Sequence, residues 1–154
     1  MAKSHWLVKT EPDVYSIEDL RRDGSTAWDR VRNHQAKLFL RDGMQPGDRV
    51  LIYHSNAEPT GVVGVASVVG AAVPDETQFR KGDEAFEPRA TRQAPVWWAR
   101  NLRFEKRFPG CVELSALRAE AALAGMKLLA RGNRLSVLPV TAVEFACIER
   151  MALR

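Results

Sequence analysis

Hydrophobic positions recur along this chain at two periods, and the places where the period changes mark its elements. Residues 5–9, His-Trp-Leu-Val-Lys, read as a short first strand. It stops at Thr10-Glu11-Pro12-Asp13, because proline cannot donate to a strand ladder. Ser16 stands where a helix cap belongs, with Asp19 three residues on as its reciprocal partner and Ile17 and Leu20 as the apolar face. Asp23-Gly24 ends that helix. A second helix start lies at Asn33, after which Ala36, Leu38, Phe39 and Leu40 follow a spacing that suits a short buried face.

Beyond the turn Gln45-Pro46-Gly47-Asp48, residues 49–55 form a strand with apolar side chains on both faces, so burial on both sides is expected. A turn at 56–61 leads into the valine-rich run 62–69, the most strand-like in the chain, where Gly64 predicts the close approach of another backbone or a ligand. Residues 74–95 are polar, of mixed charge and without period, and 81–92 is expected to be a mobile surface loop. Residues 96–108 resume as a strand. Val96, Trp98, Leu102 and Phe104 share one side, with Arg100 the exception, while Trp97, Ala99, Asn101 and Arg103 take the other, which suits an edge or rim. A helix over 115–123, a turn at 128–134 and a last strand at 135–140 follow, and Pro139 places that strand at an edge or at its own end. Thr141 caps a closing helix whose stripe is Val143, Phe145, Ala146, Ile148 and Ala152.

Strands thus occupy the middle of the chain without helices of crossover length between them. That argues against a doubly wound parallel sheet and for an α+β domain spanning residues 1–154, a mostly antiparallel curled sheet or small barrel with peripheral helices. Composition changes this picture little. With 154 residues, 45% hydrophobic and 27% charged, the chain is ordinary globular material, and its net charge of +4 leans toward an anionic partner. Two cysteines without a Cys-x-x-Cys pair and three scattered histidines predict no structural metal and a reducing cytoplasm. The start Met1-Ala2-Lys3-Ser4-His5-Trp6 lacks the apolar core of a signal peptide, and no apolar run approaches membrane-spanning length, so a cytoplasmic protein is expected. Gly61-x-x-Gly64 has no Lys-Ser/Thr partner and is not a phosphate loop.

Candidate chemistry concentrates in Trp28-Asp29-Arg30-Val31-Arg32-Asn33-His34-Gln35-Ala36. Trp28 offers a flat face and Arg32 a fork of donors, the two items needed to grip a base. The same residues also suit a core anchor and an internal ion-pair partner, and the residues alone leave both readings open. Trp6 and Trp98 are expected in the core, Trp97 fits core or surface equally, His54 reads as a structural histidine, and His5 is expected in solvent. Arg131 and Arg134 flank a glycine turn and suit either a solvated loop or a phosphate clamp.

Six blocks in one order, Trp6-Leu7-Val8-Lys9-Thr10-Glu11-Pro12, Trp28-Asp29-x-Val31-Arg32-Asn33-x-Gln35-Ala36, Tyr53-His54-Ser55-Asn56, Gly61-x-Val-Gly64, Pro74-Asp75-x-Thr77-Gln78-Phe79 and Arg134-Leu135-Ser136-Val137-x-Pro139-Val140, resemble the EVE domain family. The resemblance implies a PUA-like fold, a curled antiparallel β-barrel with flanking helices. It also implies a non-enzymatic reader without cofactor or metal, whose pocket accepts a flipped modified base. The leading ligand is modified cytosine in DNA, such as 5-methylcytosine or 5-hydroxymethylcytosine. It places Trp28, Arg32 and Asn33 at the pocket, Tyr53, His54, Ser55 and Asn56 on the facing strand end, Leu135, Ser136 and Pro139 closing it, and Lys9 and Glu11 at the mouth. No membrane and no obligate protein partner are expected. The rivals are an RNA-binding PUA-like module and a hydrolase of modified nucleosides related to ASCH domains. Arg30 stands where the family commonly has a small residue.

Overall fold

The computed structural model describes residues 3–154; Met1 and Ala2, part of the stretch read for a signal peptide, lie outside them. Strands β1 (His5–Thr10), β2 (Ser25–Trp28), β3 (Arg49–His54), β4 (Gly61–Pro74), β5 (Trp98–Glu113) and β6 (Val137–Val140) form a single sheet in the order β2-β5-β4-β3-β1-β6. Every neighbouring pair is antiparallel except β1 and β3, which run parallel with Lys9 beside Tyr53. The sheet is therefore mixed. Its end strands β2 and β6 do not pair with each other, so it is a curled sheet rather than a closed barrel. The parallel pair needs a crossover. Helices α1 (Ile17–Asp23) and α2 (His34–Leu38), the latter running into a wide turn over Phe39–Gly43, supply it together with β2.

Strand β3 carries both cores, as its sequence requires. Val50 and Ile52 join Trp6, Val8, Ile17, Leu20 and Ala36 on the side of α1 and α2. Leu51 and Tyr53 join Leu7 and residues of α3 (Leu114–Ala119) and α4 (Ala142–Met151) on the other. The helix caps form as expected: Ser16 with Asp19, and Thr141 with Glu144, are complete capping boxes. A Cβ on Gly64 would lie 2.5 Å from the Lys106 carbonyl oxygen, which is the close approach its place in a strand predicts.

Strand β5 is not an edge: it lies between β2 and β4, although the four residues of β2 cover only Arg100 to Arg103. Its exception Arg100 is 3% exposed and donates to the carbonyl oxygens of Leu40, Arg41, Met44 and Gly70. The buried charge thus ties β5 to the turn after α2. Trp6 is buried, with its indole N–H on Asp48 Oδ2 at 3.0 Å, but Trp98 is only half-buried on the rim. His5 is half-buried, its ring 4.8 Å from Phe145.

Residues 81–92 are not a free loop. Gln78, fully buried, donates to the carbonyl oxygens of Asp75 and Trp97 and accepts from the N–H groups of Val96 and Trp97, closing the base of the excursion. Farther out, Glu87 accepts from the Trp97 indole at 3.1 Å, and Ala85 is buried. A polar segment holds its place here through side chains that satisfy backbone groups.

Candidate functional site

Strand β2 ends at Trp28, and the chain then leaves the sheet in a tight turn. Arg30 has φ 64°, a left-handed conformation that side chains disfavour. Asp75, fully buried, holds the turn. Its Oδ2 accepts from the Arg30 N–H at 2.7 Å and from Arg32 Nη1 at 2.9 Å, and its Oδ1 accepts from the N–H and hydroxyl of Thr77. Burial pushes this carboxyl up, but the hydrogen bonds from Arg32, Thr77 and the Arg30 N–H outweigh it and hold it below the ordinary carboxylate range.

The remaining donors of Arg32 go to the carbonyl oxygens of Ala85 and Val31 and to the Thr77 hydroxyl. Its fork is fully engaged, so it shapes the wall and has no free pair of N–H groups for a base. Arg30 turns outward to pair both nitrogens with Asp83 at 2.9 Å.

Between this turn and the end of β1 lies a cleft of about 380 Å³. Trp28 and Tyr15 form one side, meeting edge to face at 6.3 Å, with Trp28 8% exposed. Lys9, Thr10 and Ser136 also line the cleft, the Thr10 hydroxyl donating to the Tyr15 carbonyl oxygen at 2.7 Å. Asp29 sits in the wall, half-buried, and receives no hydrogen bond from another residue among those described. Burial, and then the charge of Asp75, push its carboxyl above the ordinary range. Lys9 is half-buried without a carboxylate partner among the described residues, and burial lowers it.

Of the residues expected at a pocket, the structure brings Trp28, Arg32, Lys9 and Ser136 together here. Several others go elsewhere. The Asn33 side chain accepts from the Ala36 N–H and caps α2. Tyr53 lies on the opposite face of β3 and lines a different cleft with Arg131. His54 Nε2 accepts from the Ile17 N–H at 3.1 Å at the start of α1. The Ser55 N–H bonds to the Thr10 carbonyl, and Asn56, itself left-handed at φ 48°, donates to Glu11. Leu135 packs against the α4-side core, Pro139 lies in edge strand β6 opposite Trp6, and Arg134 is exposed outside both clefts. The end of β1 and Ser136 line this cleft, and the end of β3 does not. Thr10, Tyr15 and Asp29 were missed. Asp29 stands inside the polar stretch that singled out the site, but its lack of a partner is a tertiary fact.

His54 makes a pH prediction. The acceptor nitrogen must be unprotonated, and burial holds the imidazole below its ordinary value of about 6.5. As pH falls, the unfolded chain takes up this proton before the folded one does. Stability is therefore expected to drop below about pH 6.5 and to stop responding only once the folded imidazole also titrates. Urea melts across that range should show this slope, and His54→Gln, which keeps an acceptor, should lose it. An unchanged slope in the variant assigns it to other groups.

A curled mixed sheet with helices on both faces and a cleft beside the β2–α2 turn defines a PUA-like domain. The chain belongs to the EVE domain family, whose sequence model matches residues 4–151. It is 38% identical over 161 residues to thymocyte nuclear protein 1 of Homo sapiens, covering 92% of this chain and 71% of that protein. A structure of a hypothetical protein from Leishmania major superposes with a TM-score of 0.94 at 39% identity, covering 99% of this chain and 96% of that one. Human THYN1 protein in complex with 5-methylcytosine containing DNA superposes with a TM-score of 0.91 at 33% identity, covering 99% of each chain. Among the described residues, no helix is long and apolar enough to cross a membrane.

Proposed function

We propose that the cleft beside Trp28 receives one modified cytosine turned out of a DNA strand, and that the domain binds this base without transforming it. The observation that carries the reading is Asp29, a half-buried acceptor in the cleft wall that receives no hydrogen bond from another described residue. An aspartate of this kind matches the exocyclic amino group of cytosine, a donor that thymine lacks. The human relative with 5-methylcytosine DNA supports the same ligand class.

Size and wall chemistry agree with one ring. At about 380 Å³ the cleft is near the lower end of ligand sites, roughly 300–1,000 Å³, and Trp28 and Tyr15 give it an aromatic side. Turning a base out costs a few kcal/mol, roughly, and stacking on one aromatic returns on the order of 1–3 kcal/mol. Edge hydrogen bonds to Asp29, Thr10 and Ser136 supply the rest. A binding role is also supported by His54, whose acceptor nitrogen is committed to a helix N–H rather than to activating Ser55. The free thiols Cys111 and Cys147 suit a cytoplasmic setting.

Fluorescence titration with duplexes that differ by one methyl group tests the proposal. A buried methyl contributes about 0.8 kcal/mol, so about fourfold preference for the modified duplex is expected. Trp28→Phe, checked for folding by its melt, should weaken binding about fivefold through lost stacking. Equal affinity for both duplexes, or a variant that binds like wild type, overturns it, and matched RNA oligomers measure the preference for deoxyribose.

A further inference from the structure

On the other side of Lys9 lies a second cleft, of about 390 Å³, between the end of β3, helix α3 and the turn at residues 128–133. No acidic residue lines it, whereas Lys9, Arg118 and Arg131 do, and none of these three has a carboxylate partner among the described residues. Asn133 is engaged with the turn itself, donating to the Lys127 carbonyl and accepting from the Leu135 N–H. Tyr53 is only 4% exposed, its ring held in the core beside Leu51 and Val62, and its hydroxyl, which is not among the buried unpartnered atoms and receives no bond from another described residue, is the part that reaches the cleft. A phenol of this kind has an apolar body in the core and a polar tip free to meet a ligand. Lys9 also lines the base cleft, so the two hollows meet at the end of β1.

We infer that this second cleft binds a backbone phosphate of the same strand whose base enters the first. In it the Tyr53 hydroxyl donates to a phosphate oxygen, and Lys9, Arg118 and Arg131 supply the opposite charge. The inference rests on the base-reading proposal for the identity of the strand, and on the Tyr53 cleft alone for the phosphate. It also gives Tyr53 a role on the nucleic acid after its place on the far face of β3 removes it from the base.

Three ligands separate the two ideas: a free methylated deoxycytidine, a short oligomer and a duplex with one methylated site, the duplex titrated across salt concentrations. Arg118→Gln with Arg131→Gln is expected to leave the nucleoside affinity within about twofold and to weaken the oligomer and duplex about tenfold. It should also reduce the slope of log affinity against log salt by roughly one, the share of the single phosphate that the cleft holds. Tyr53→Phe keeps the ring in the core and should weaken the oligomer several-fold without touching the nucleoside. An unchanged salt slope together with unchanged oligomer affinity overturns the inference, as does an equal loss for nucleoside and oligomer. If wild type binds no free nucleoside while the slope still falls, the base proposal fails and the phosphate site stands.

Discussion

Asp75→Asn is expected to destabilise the domain by about 3–5 kcal/mol, the usual cost of removing one partner from a buried ion pair. One carboxylate serves two separate pieces of chain here: the turn at Arg30 to Arg32, and the start of the excursion at Thr77. An amide in its place keeps one acceptor but turns two donors toward a guanidinium and an N–H that already need acceptors. The Arg32 charge then lies against protein without its counter-charge, and the left-handed turn at Arg30 loses the bond that holds it. For a chain of this length the loss corresponds to a melting temperature lower by roughly 10 °C. Thr77→Val, which removes only the hydroxyl shared by Asp75 and Arg32, should cost about 1 kcal/mol. The sign with pH follows from the lowered carboxyl. Its stabilisation is complete above the ordinary carboxyl value and is lost as pH falls from there through the folded value. Thermal and urea melts of both variants measure this, and an Asp75→Asn melt within 2 °C of wild type, taking roughly that shift as under 1 kcal/mol, removes Asp75 from its structural role.

What was legible in the sequence was local. Ser16, Asn33 and Thr141 were recognisable as caps because a cap and its N–H groups lie within three residues of each other. Strand β3 announced its double burial by apolar residues at consecutive positions, and Pro139 marked the edge strand. The parallel pairing of β1 with β3 was not legible, because its crossover is made from two very short helices and a strand rather than one long helix. Asp75 appeared in a motif, but its partner Arg32 is 43 residues away and no local rule joins them. The candidate site was half legible for a similar reason. Trp28 and Ser136 reach the same cleft, whereas Asn33 and His54 were taken by helix starts, whose free N–H groups compete for such acceptors. Tyr53 lies apart from this cleft, and the information was present in the sequence: alternation puts it with Leu51, on the face away from Ile52.

Asp29→Asn is expected to have opposite effects on binding and on stability, and that combination distinguishes a ligand contact from a structural one. The two aspartates flanking this turn differ in their partners. Asp75 has several donors and is held low, while Asp29 has none from another described residue and is held high by burial and by Asp75 itself. A raised carboxyl contributes stability that is present below its unfolded value and lost as pH rises through its folded value, so at neutral pH ionised Asp29 opposes folding. Replacing it with neutral asparagine should leave the melting temperature unchanged or raised. Binding should move the other way. The carboxylate accepts from the amino group of cytosine and repels the carbonyl oxygen that thymine carries at the same position, and one such contact discriminates by about 1–3 kcal/mol, or roughly 5- to 150-fold. An amide can turn either end to the ligand, so methylcytosine affinity should fall within that range while affinity for the thymine counterpart rises, narrowing or inverting the preference. Titration of oligomers carrying one base or the other, with a melt of the free variant alongside, reads both effects. A variant that melts lower and keeps the wild-type preference makes Asp29 a part of the scaffold, and base selection must then be sought at Thr10 and Ser136, which line the same cleft.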